Sequence, residues 1–519
     1  MIASTARWLD DRLATSRFAR SALNKVFPDH WSFMIGEVAM YCFVILIITG
    51  TFLSFFFTPS AKDVIYQGSY LPLRGVTMSE AYQSTVGLSF DVRAGLVIRQ
   101  IHHWAALLFL VTIACHVARI FFTGAFRRPR EINWLVGVGL LLMALFNGFT
   151  GYSLPDDLLS GTGLRIAYSI ALSVPFVGDW LAFLVFGGEF PASDILSRLF
   201  VIHILLVPAV IAGLLGAHLT VVWRQKHTQF PGRGRRETNV VGSRLWPTYT
   251  ARSIGLFAFV FAVLGGLAGL AQINPVWLYG PFEPAAVSTA AQPDWYLGWV
   301  EGALRIFPAI RLSLFGYRIP EALFSSVLLP TVAVGVLVAW PFLEQWRTKD
   351  RAEHHLLDRP RDRPVRTGIG IAAVVFVAVM TIAGGQDLIA QALRVPISSV
   401  VWALRVLVLA LPPAAGLMAW KVCRDLAAAA PLDAIPEGTP PPAADPETHS
   451  PEAPAPRPQP EPPEPDPEPA DRPTGVVASN RAKGPAKAHG ARAMAMAGGT
   501  GVVAVAAFLA GRRYSKDSR

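Results

Sequence analysis

Cysteine is scarce in this sequence. Three of the 519 residues are cysteine, and Cys42, Cys115 and Cys423 lie in or at the end of separate apolar stretches. None forms a CxxC or CxxCH pattern, which argues against an internal disulfide framework and against covalent attachment of a c-type haem. A cleavable signal peptide is not expected either, because residues 1–30 are strongly charged and lack a suitable apolar core.

Charge is the second scarce property. Only 16% of the residues are charged and 52% are apolar, whereas a soluble chain carries about 25% charged residues. The apolar residues form eight runs, each near the ~20 residues that a helix needs to cross a bilayer. Helices are expected there because lipid offers no water to unpaired backbone groups. We therefore predict an all-α membrane protein whose eight transmembrane helices, spans A to H, lie at about 35–57, 101–122, 135–154, 200–223, 254–273, 323–343, 368–384 and 399–420.

The net charge of +10 is not gathered into one patch, so it does not predict nucleic-acid binding. The basic residues instead alternate by connection: they cluster before span A, between spans B and C, between D and E, and between F and G. Cytoplasmic loops of membrane proteins carry the excess of lysine and arginine. We therefore expect a multi-pass membrane protein with the N-terminus, and both ends of the eight-span bundle, in the cytoplasm.

Two pairs of histidines have nearly the same separation along the sequence. His102 and His116 are 14 residues apart in span B, and His203 and His218 are 15 apart in span D. Fourteen residues rise about 21 Å and end about 40° short of four turns, so both rings leave one helix face. Ionisable residues at this depth are functional candidates. Two such helices can clamp two stacked haems, each with two imidazole ligands, whereas ordinary packing or a zinc site, which needs clustered ligands, explains the spacing less well.

The helix directions pair these ligands. Spans B and D both run inward, so His102 pairs with His203 at the outer side and His116 pairs with His218 at the inner side. His103 points about 100° away from its neighbour and is the rival to His102 as a ligand.

Glycines repeat the same separation in the two other helices of this group. Gly36 and Gly50 in span A are 14 residues apart, and so are Gly137 and Gly151 in span C. A missing side chain at each haem level lets a flat porphyrin approach the backbone. Taken alone, glycines in membrane helices indicate helix packing, but the shared separation favours the haem interpretation.

Two arginines flank the histidines of span B. Arg99 lies one turn before His102, and Arg119 lies one turn after His116. Each can reach a macrocycle edge, where haem propionates need cationic partners. Snorkelling of the side chains to the membrane surface is the alternative interpretation.

Composition divides the chain around these spans. Residues 170–187 contain Pro175 and several glycines, so we expect short helices on the outer face there rather than a crossing. The predicted segments are an amphipathic cytoplasmic N-terminal segment at 1–30, a diheme four-helix domain at 31–225, a cytoplasmic loop at 226–251, a second four-span domain with a long outer loop at 252–425, a disordered Pro/acidic tail at 426–492 and an apolar segment at 493–519 that is a candidate ninth span.

Several stretches resemble the cytochrome b subunit of quinol:cytochrome c oxidoreductases: HWSFMIGE, ITGTFLSFFFTP, RQIHHWAALLFLVTIACHVAR, NGFTGYSLPDD, SRLFVIHILLVPAVIAGLLGAHL and QPDWY. The resemblance covers about 25–425 and is greatest to the actinobacterial branch, as in FFTGAFRRPREINW and KHTQFPG. It implies a bacterial plasma-membrane protein with two non-covalent b-type haems, a quinone site on each side of the membrane and an obligate dimer.

The resemblance also implies an outer quinol-oxidising site. Gln292–Tyr296 matches the family's proline, glutamate, tryptophan, tyrosine motif, with Asp294 in place of the glutamate. A carboxylate there can accept a proton from the quinol. Glu301 is the second candidate, because seven residues make about two helical turns and place it on the face of Asp294. Tyr296 and Tyr152 are the expected pocket tyrosines, although the motif alone would indicate only a turn with an aromatic membrane anchor.

The inner quinone site is left open by the sequence. The family often has a lysine–aspartate pair just before span E, where this sequence has Arg252 and Ser253 and no carboxylate. His227, His354 and His355 lie on the cytoplasmic side, but exposed loop histidines rarely deliver protons.

The activity implied by the resemblance is oxidation of menaquinol at the outer face, coupled to proton translocation. One electron passes to a Rieske iron–sulfur partner and a cytochrome c subunit, and the other passes through the two b haems to a cytoplasmic-side quinone. A supercomplex with a haem-copper terminal oxidase, in contact with membrane lipid, is also implied. The alternatives are a diheme b-type anchor of a dehydrogenase or hydrogenase, which needs only four or five spans, and a transporter without haem.

Overall fold

Among the residues that the structure describes, eight helices are long and apolar enough to cross a membrane. The computed structural model describes residues 2–286, 292–310, 312–314 and 316–429. Spans A to H run over Trp31–Ser54, Gly95–Thr123, Glu131–Tyr152, Ile195–Gln225, Leu245–Leu270, Leu323–Thr348, Pro364–Gly384 and Ile397–Ala428. The eight predicted spans and the all-α membrane architecture are confirmed. The helices extend beyond the apolar runs most at spans E and H, because polar turns continue a helix without adding hydropathy.

The segment predicted to be amphipathic at the N-terminus forms two helices, Ile2–Leu13 and Thr15–Leu23. They are separated by Ala14, whose φ of 48° is left-handed and interrupts the helical path. At the other end of the chain, the predicted tail, apart from its first four residues, and the candidate ninth span at 494–511 lie outside the described residues.

The first four spans form two antiparallel helix pairs. Span A packs along span B, span C packs along span D, and span E packs against A and B. Span G contacts spans B and H, and span F contacts span C, so the second half of the chain wraps the first. A buried apolar cluster that includes Cys42, Ile45, Leu110 and Leu264 fills the space between spans A, B and E.

Two of the described spans contain a wide π-helical turn that precedes a proline. The turns lie at Ile202–Leu206 in span D, before Pro208, and at Leu323–Leu328 in span F, before Pro330. The start of span E has a kink instead, because Trp246 is extended (φ −113°, ψ 136°) before Pro247. Proline lacks an N–H group and collides with the carbonyl of the preceding turn, and a π turn relieves that conflict by admitting one additional residue.

Short helices, 3₁₀ turns and strand pairs lie mainly in the connections between the spans. The further helices are Glu80–Phe90, Leu158–Leu172, Gly178–Phe186, Gly298–Ile306 and Gln386–Leu393, with 3₁₀ turns at Trp31–Phe33, Leu71–Leu73, Val276–Leu278, Trp295–Leu297 and Pro360–Asp362. Residues 170–187 thus contain the end of one short helix and the whole of another rather than a long helix, as predicted. Three antiparallel strand pairs join Val26–Pro28 to Gly242–Arg244, Asp63–Ile65 to Thr77–Ser79, and Leu312–Leu314 to Tyr317–Ile319.

Candidate functional site

The four histidines of spans B and D face each other in two pairs. The ring centroids of His102 and His203 are 6.3 Å apart, with an interplanar angle of 70°. Those of His116 and His218 are 6.4 Å apart at 72°. These are the pairs that the helix directions predict. We call the two ends of the bundle the His102 end and the His116 end.

The spacing of the rings suits a shared metal ion. A metal–imidazole bond of about 2.0–2.1 Å, plus about 1.1 Å from the nitrogen to the ring centre, places a ring centroid roughly 3.1 Å from a metal. Twice that distance matches the separations of 6.3 Å and 6.4 Å within the pairs. The described histidines therefore fit two bis-imidazole sites at two levels of the bundle.

Each of the four glycines packs against one of these rings. Gly50 lies against His102, Gly36 against His116, Gly151 against His203 and Gly137 against His218. A Cβ atom at Gly36 or Gly50 would lie 3.1 Å from the nearest ring carbon. The missing side chains thus make room for the imidazoles themselves, rather than only for a porphyrin as the sequence suggested.

Hydrogen bonds orient the rings at the His102 end. Thr49 Oγ1 lies 2.9 Å from Nδ1 of His102. Nδ1 of His203 lies 3.0 Å from the carbonyl oxygen of Asn147 and 3.3 Å from Thr150 Oγ1. Such contacts leave Nε2 of each ring to face its partner, as metal-binding histidines require. Among the described residues, Nδ1 of His116 has no such partner, whereas the His218 ring lies beside the backbone of Asn133.

Sequence reasoning missed these threonines, although a signal for them exists. Thr49–Gly50 and Thr150–Gly151 are the same dipeptide, 101 residues apart, and His102 and His203 are also 101 apart. Spans A and B are therefore repeated as spans C and D. The repeat was hidden because the contact between each threonine and its histidine joins different helices.

The repeat has one extra residue. His116 and His218 are 102 apart rather than 101, and the π turn Ile202–Leu206 lies in span D where span B is a continuous helix. A π turn accommodates one inserted residue without rotating the remainder of the helix. This explains how spacings of 14 and 15 residues place both rings of each helix on one face.

Arg99 and Arg119 have spare donors. Arg99 donates from Nη2 to the carbonyl oxygen of Asn274 at 2.9 Å, and the guanidinium of Arg119 lies 4.2 Å above the ring of Phe33. Within the described chain, Nε of both arginines and Nη2 of Arg119 are buried without a hydrogen-bond partner. Buried cationic donors of this kind suit an anionic group such as a propionate.

A cavity of ≈ 420 Å³ connects the first histidine pair to the loop after span E. His102 and His203 line one part, and Tyr152, Asp294 and Tyr296 line another. Arg99 also contributes to its wall. Three of the four predicted quinol-site residues therefore meet in one space.

Asp294 contacts His103, the residue that the sequence left as the alternative ligand to His102. Nε2 of His103 lies 3.3 Å from a carboxylate oxygen of Asp294, while His102 faces His203. Tyr152 donates a hydrogen bond to the carbonyl of Gln292 at 3.3 Å. Tyr296 is 4% exposed, and burial, together with the Asp294 carboxylate, raises the pKa of its hydroxyl, which therefore keeps its proton.

Glu301 does not share a face with Asp294, and that expectation is wrong. Asp294 precedes the helix Gly298–Ile306, with an extended ψ of 146°, so helical spacing does not relate the two residues. Glu301 instead accepts a hydrogen bond from Nε of Arg305 at 2.7 Å. Nη1 of Arg305 lies 2.9 Å from Asp387, which accepts from Gln292 at 2.8 Å. Glu301 thus helps to anchor the loop.

Comparison with known proteins decides the family. The family model described as "Cytochrome b(N-terminal)/b6/petB" matches residues 107–281. The cytochrome bc1 complex cytochrome b subunits of Corynebacterium diphtheriae and Mycobacterium tuberculosis H37Rv are both 50% identical, over 80% and 82% of this chain and 77% of each relative. That of Streptomyces coelicolor is 49% identical over 81% of this chain and 77% of the relative.

The chain belongs to the cytochrome b subunits of the cytochrome bc1 complex. It is therefore part of a quinol:cytochrome c oxidoreductase. A solved chain of a hyperthermophilic respiratory Complex III has a TM-score of 0.60 at 20% identity, over 80% of this chain and 99% of that chain; this likeness concerns the fold. The match to C. diphtheriae extends over 418 residues, well beyond the four or five spans of a dehydrogenase anchor.

Membership of the cytochrome b family implies b-type haems, and membership of the complex implies partners such as Rieske and cytochrome c subunits. The eight apolar helices agree with a multi-pass membrane protein.

The loop histidines of this cytochrome b chain have different contacts. His354 lies 3.0 Å from Asp350, and His355 lies 2.9 Å from a guanidinium nitrogen of Arg130. Both are thus tied into the loops. His227 instead packs against Phe27, with ring centroids 4.5 Å apart.

Proposed function

We propose that this chain is a diheme cytochrome b that oxidises menaquinol at the outer face, which is the His102 end, with its N-terminus in the cytoplasm. The observation that carries the proposal is the cavity shared by His102, His203, Asp294 and Tyr296. It brings a proton-accepting carboxylate next to the histidines that would hold an electron-accepting haem.

Four histidines and two arginines would hold the cofactors. His102 with His203, and His116 with His218, would each supply two imidazole nitrogens to a haem iron, and the spare donors of Arg99 and Arg119 would suit the propionates. When bound, the two haems supply one-electron transfer between the two sides of the membrane. The chain's own contribution is to fix the rings by Thr49 and its counterparts and to exclude water from between the helices.

The residues of the cavity divide the work of quinol oxidation. A quinol that loses two electrons must also lose two protons. The Asp294 carboxylate accepts one, held in place by His103, while the buried Tyr296 hydroxyl remains a hydrogen-bond donor to a quinol oxygen. Of the two electrons, one leaves to the Rieske partner and the other crosses toward a quinone on the cytoplasmic side, so proton release and uptake occur on opposite faces.

The resemblance to the actinobacterial relatives also supports a proposal about how the complex assembles. Their resemblance supports menaquinol as the substrate, a homodimer of the complex and a supercomplex with a haem-copper oxidase. Purification in mild detergent, together with mass measurement of the intact assembly, tests this part. A monomeric complex without an oxidase would contradict it.

The central test uses the purified complex. We expect b-type bands in the reduced-minus-oxidised spectrum at two haems per chain, and reduction of its cytochrome c subunit on addition of a menaquinol analogue. A complex without b-type absorbance would refute the cofactor assignment. Haem without quinol-dependent reduction would refute the activity.

The two carboxylates give a matched pair of variants. Asp294→Asn removes the proton acceptor and should lower turnover about 10²-fold or more with both haems retained, since a positioned acid–base group typically contributes ~10²–10⁴-fold. Glu301→Gln loosens the loop anchor through Arg305 and should mainly raise KM. Equal losses in kcat for both variants would show that Asp294 has no special role.

A further inference from the structure

Two adjacent aspartates follow directly from the wall of the cavity at the His102 end. Tyr152, Leu154 and Pro155 line that cavity, and Asp156 and Asp157, here called the aspartate pair, are the next residues. Asp157 is 1% exposed, whereas Asp156 is partly exposed. The aspartate pair therefore extends from the buried end of span C to the protein surface.

The two carboxylate oxygens of Asp157 are used differently. Oδ1 accepts hydrogen bonds from the backbone N–H groups of Leu159 at 3.0 Å and Ser160 at 3.2 Å, and so caps the helix Leu158–Leu172. Within the described chain, Oδ2 is buried without a hydrogen-bond partner. A helix cap needs only one acceptor oxygen, and an unpaired buried oxygen is costly. Helix capping therefore does not account for Oδ2.

The loop after span E joins this region to span B. The backbone N–H of Leu158 donates to the carbonyl oxygen of Gly280 at 3.0 Å, and Arg99 donates to that of Asn274 at 2.9 Å. Both carbonyls belong to the same loop. Tyr279 lies in it, directly before Gly280, so its position is fixed from both sides.

Tyr279 is within electrostatic reach of two carboxylates. Burial, together with the charges of Asp157 and Asp294 and against that of Arg99, raises the pKa of its hydroxyl. The hydroxyl therefore keeps its proton at neutral pH, and a neutral hydroxyl can donate one proton while it accepts another. Asp294 lines the cavity and Asp157 does not, so Tyr279 offers a link between the two carboxylates.

Asp156 continues this arrangement toward the solvent. Its carboxyl group forms a hydrogen bond with Ser79 and lies near Asp63, which is exposed. Burial raises the pKa of Asp156 to about 6 and also raises the pKa of Asp157. A group transfers protons most effectively when its pKa lies near the working pH, so both carboxyl groups are suited to proton transfer.

We propose that the aspartate pair carries protons from the quinol cavity to the outer surface, with Asp157 as the buried carrier and Asp156 as the exit group. The proposal rests on the proposed function, in which Asp294 takes a proton from the quinol. It accounts for the unpaired Oδ2 of Asp157 and for the second acidic residue directly beside it.

The proton balance of the route is simple. Protonated Asp294 gives its proton to the hydroxyl oxygen of Tyr279, directly or through an ordered water molecule, while the hydroxyl's own proton moves to Oδ2 of Asp157. Asp157 then protonates Asp156, and Asp156 releases the proton to water outside. Each carboxylate is ionised again at the end, so the route is ready for the next quinol. No electron moves along it.

The pH dependence of this route belongs to a defined surrounding. Asp156 faces Asp157, Asp63 and the hydroxyl of Ser79. The titratable and charged groups that face Asp157 are Asp156 beside it, Arg99 of span B, Tyr152 of span C, Tyr82 of the helix Glu80–Phe90 and Tyr279.

The test uses the purified complex in lipid vesicles, with an optical pH indicator on the quinol-oxidising side and a menaquinol analogue as substrate. Asp157→Asn keeps a capping oxygen but cannot carry a proton. It should retain both b-type bands and slow quinol oxidation and proton release about 10²-fold, and Asp157→Glu should restore part of the rate. Asp194→Asn is the control and should behave as wild type, because Asp194 also precedes a helix at this end but is exposed.

The pH profile separates proton transfer from a structural role. The wild-type rate should rise as the pH increases through about 6, where Asp156 ionises and can accept a proton. Asp156→Asn should lose this rise. The double variant of the aspartate pair should be no slower than the slower single variant, because both residues act on one route.

Three outcomes overturn the proposal. They are wild-type rates of oxidation and proton release in Asp157→Asn, an unchanged pH profile in Asp156→Asn, and fully additive effects in the double variant. If Asp157→Asn fails to assemble, the pH profile of Asp156→Asn decides alone. A wild-type complex that does not oxidise the quinol would be recognised separately, because it would refute the proposed function and with it the source of the protons.

Discussion

At the scale of single residues, the four facing histidines depend on neighbours that have no side chain. A Cβ atom at Gly151 would lie 3.0 Å from Nδ1 of His203 and closer still to its Cε1. At Gly137, the equivalent glycine of the same span, a Cβ atom would lie 3.8 Å from His218, an ordinary contact distance. The two ends of span C therefore tolerate a methyl group differently.

This difference gives a prediction for haem binding. Gly151→Ala should displace His203, because overpacking costs about 1–3 kcal/mol, and weaken haem binding at the His102 end roughly tenfold or more. Gly137→Ala, the matched control, should keep both haems. Haem content and redox titration of the b-type bands measure the outcome. Equal haem loss in both variants would show that the clash is not the cause.

A second residue-scale prediction concerns Asp156, which lies outside the spans. Burial raises the pKa of its carboxyl to about 6 despite a hydrogen bond with Ser79. Its folded pKa exceeds the unfolded value of about 3.9. Ionising Asp156 in the folded protein costs free energy. This cost is absent below pH ~4 and fully present above pH ~6, so Asp156 lowers the stability of the fold as the pH rises between those values.

Asp156→Asn should remove that penalty. Asparagine also tolerates the left-handed backbone there, where φ is 56°. We expect the variant to have a higher Tm than wild type at pH 7.5 and a similar Tm near pH 4. The exposed Asp179→Asn substitution is the control. A Tm difference that does not change with pH would contradict the assigned cause.

Sequence could predict the relations that depend on the periodicity of one helix or on the directions of two helices. The histidines within span B and within span D were found because helical periodicity alone sets which face they share. The contact of His103 with Asp294 joins residues 191 positions apart, and no local pattern reports it. Glu301 was misplaced because its spacing argument assumed a helix that begins only after Asp294.

At the scale of elements, the π turn of span D keeps the two haem levels aligned. Removing the extra residue, together with the proline that favours the turn, should restore the 14-residue spacing of span B. We predict that deletion of Leu205 combined with Pro208→Ala retains both b-type haems. Leu205 is 64% exposed, so its loss removes little packing.

Deletion of Val111 from span B is the matched comparison. Val111 is also exposed and lies between His102 and His116, but span B has no π turn to absorb the change. The deletion should rotate His116 by about 100° and abolish one haem. Haem stoichiometry and the split of the b-type bands distinguish the cases. Loss of a haem in the span D variant would contradict our account of the turn.

At the scale of the whole molecule, a buried ion-pair network joins the two halves of the chain. Arg366 of span G has a side chain only 2% exposed and contacts Glu344 of span F and Asp358. Asp358 also pairs with Arg127 in the connection between spans B and C, at 3.2 Å. Spans F and G are thus tied to the first four spans at the His116 end.

Breaking this network should loosen the halves without touching the haem pairs. Arg366→Met leaves two carboxylates without their shared cation, and losing one partner of a buried pair costs about 3–5 kcal/mol. We expect a clearly lower Tm of the complex with normal b-type spectra. Adding Glu344→Gln alone should recover much of the loss, because Asp358 keeps its ion pair with Arg127. No recovery in the double variant would mean that charge is not the cause.

The 101-residue repeat has a consequence for how such a protein can arise. Spans A and B together contain one half of each proposed haem site: a Thr–Gly pair, a second glycine and two histidines. Two copies of that hairpin, related by a two-fold axis, would place like histidines opposite each other and create both haem sites at once. A synthetic span A–span B hairpin tests this directly. In lipid it should dimerise and bind two haems per dimer, and a hairpin that binds none would show that the fused pair is required from the start.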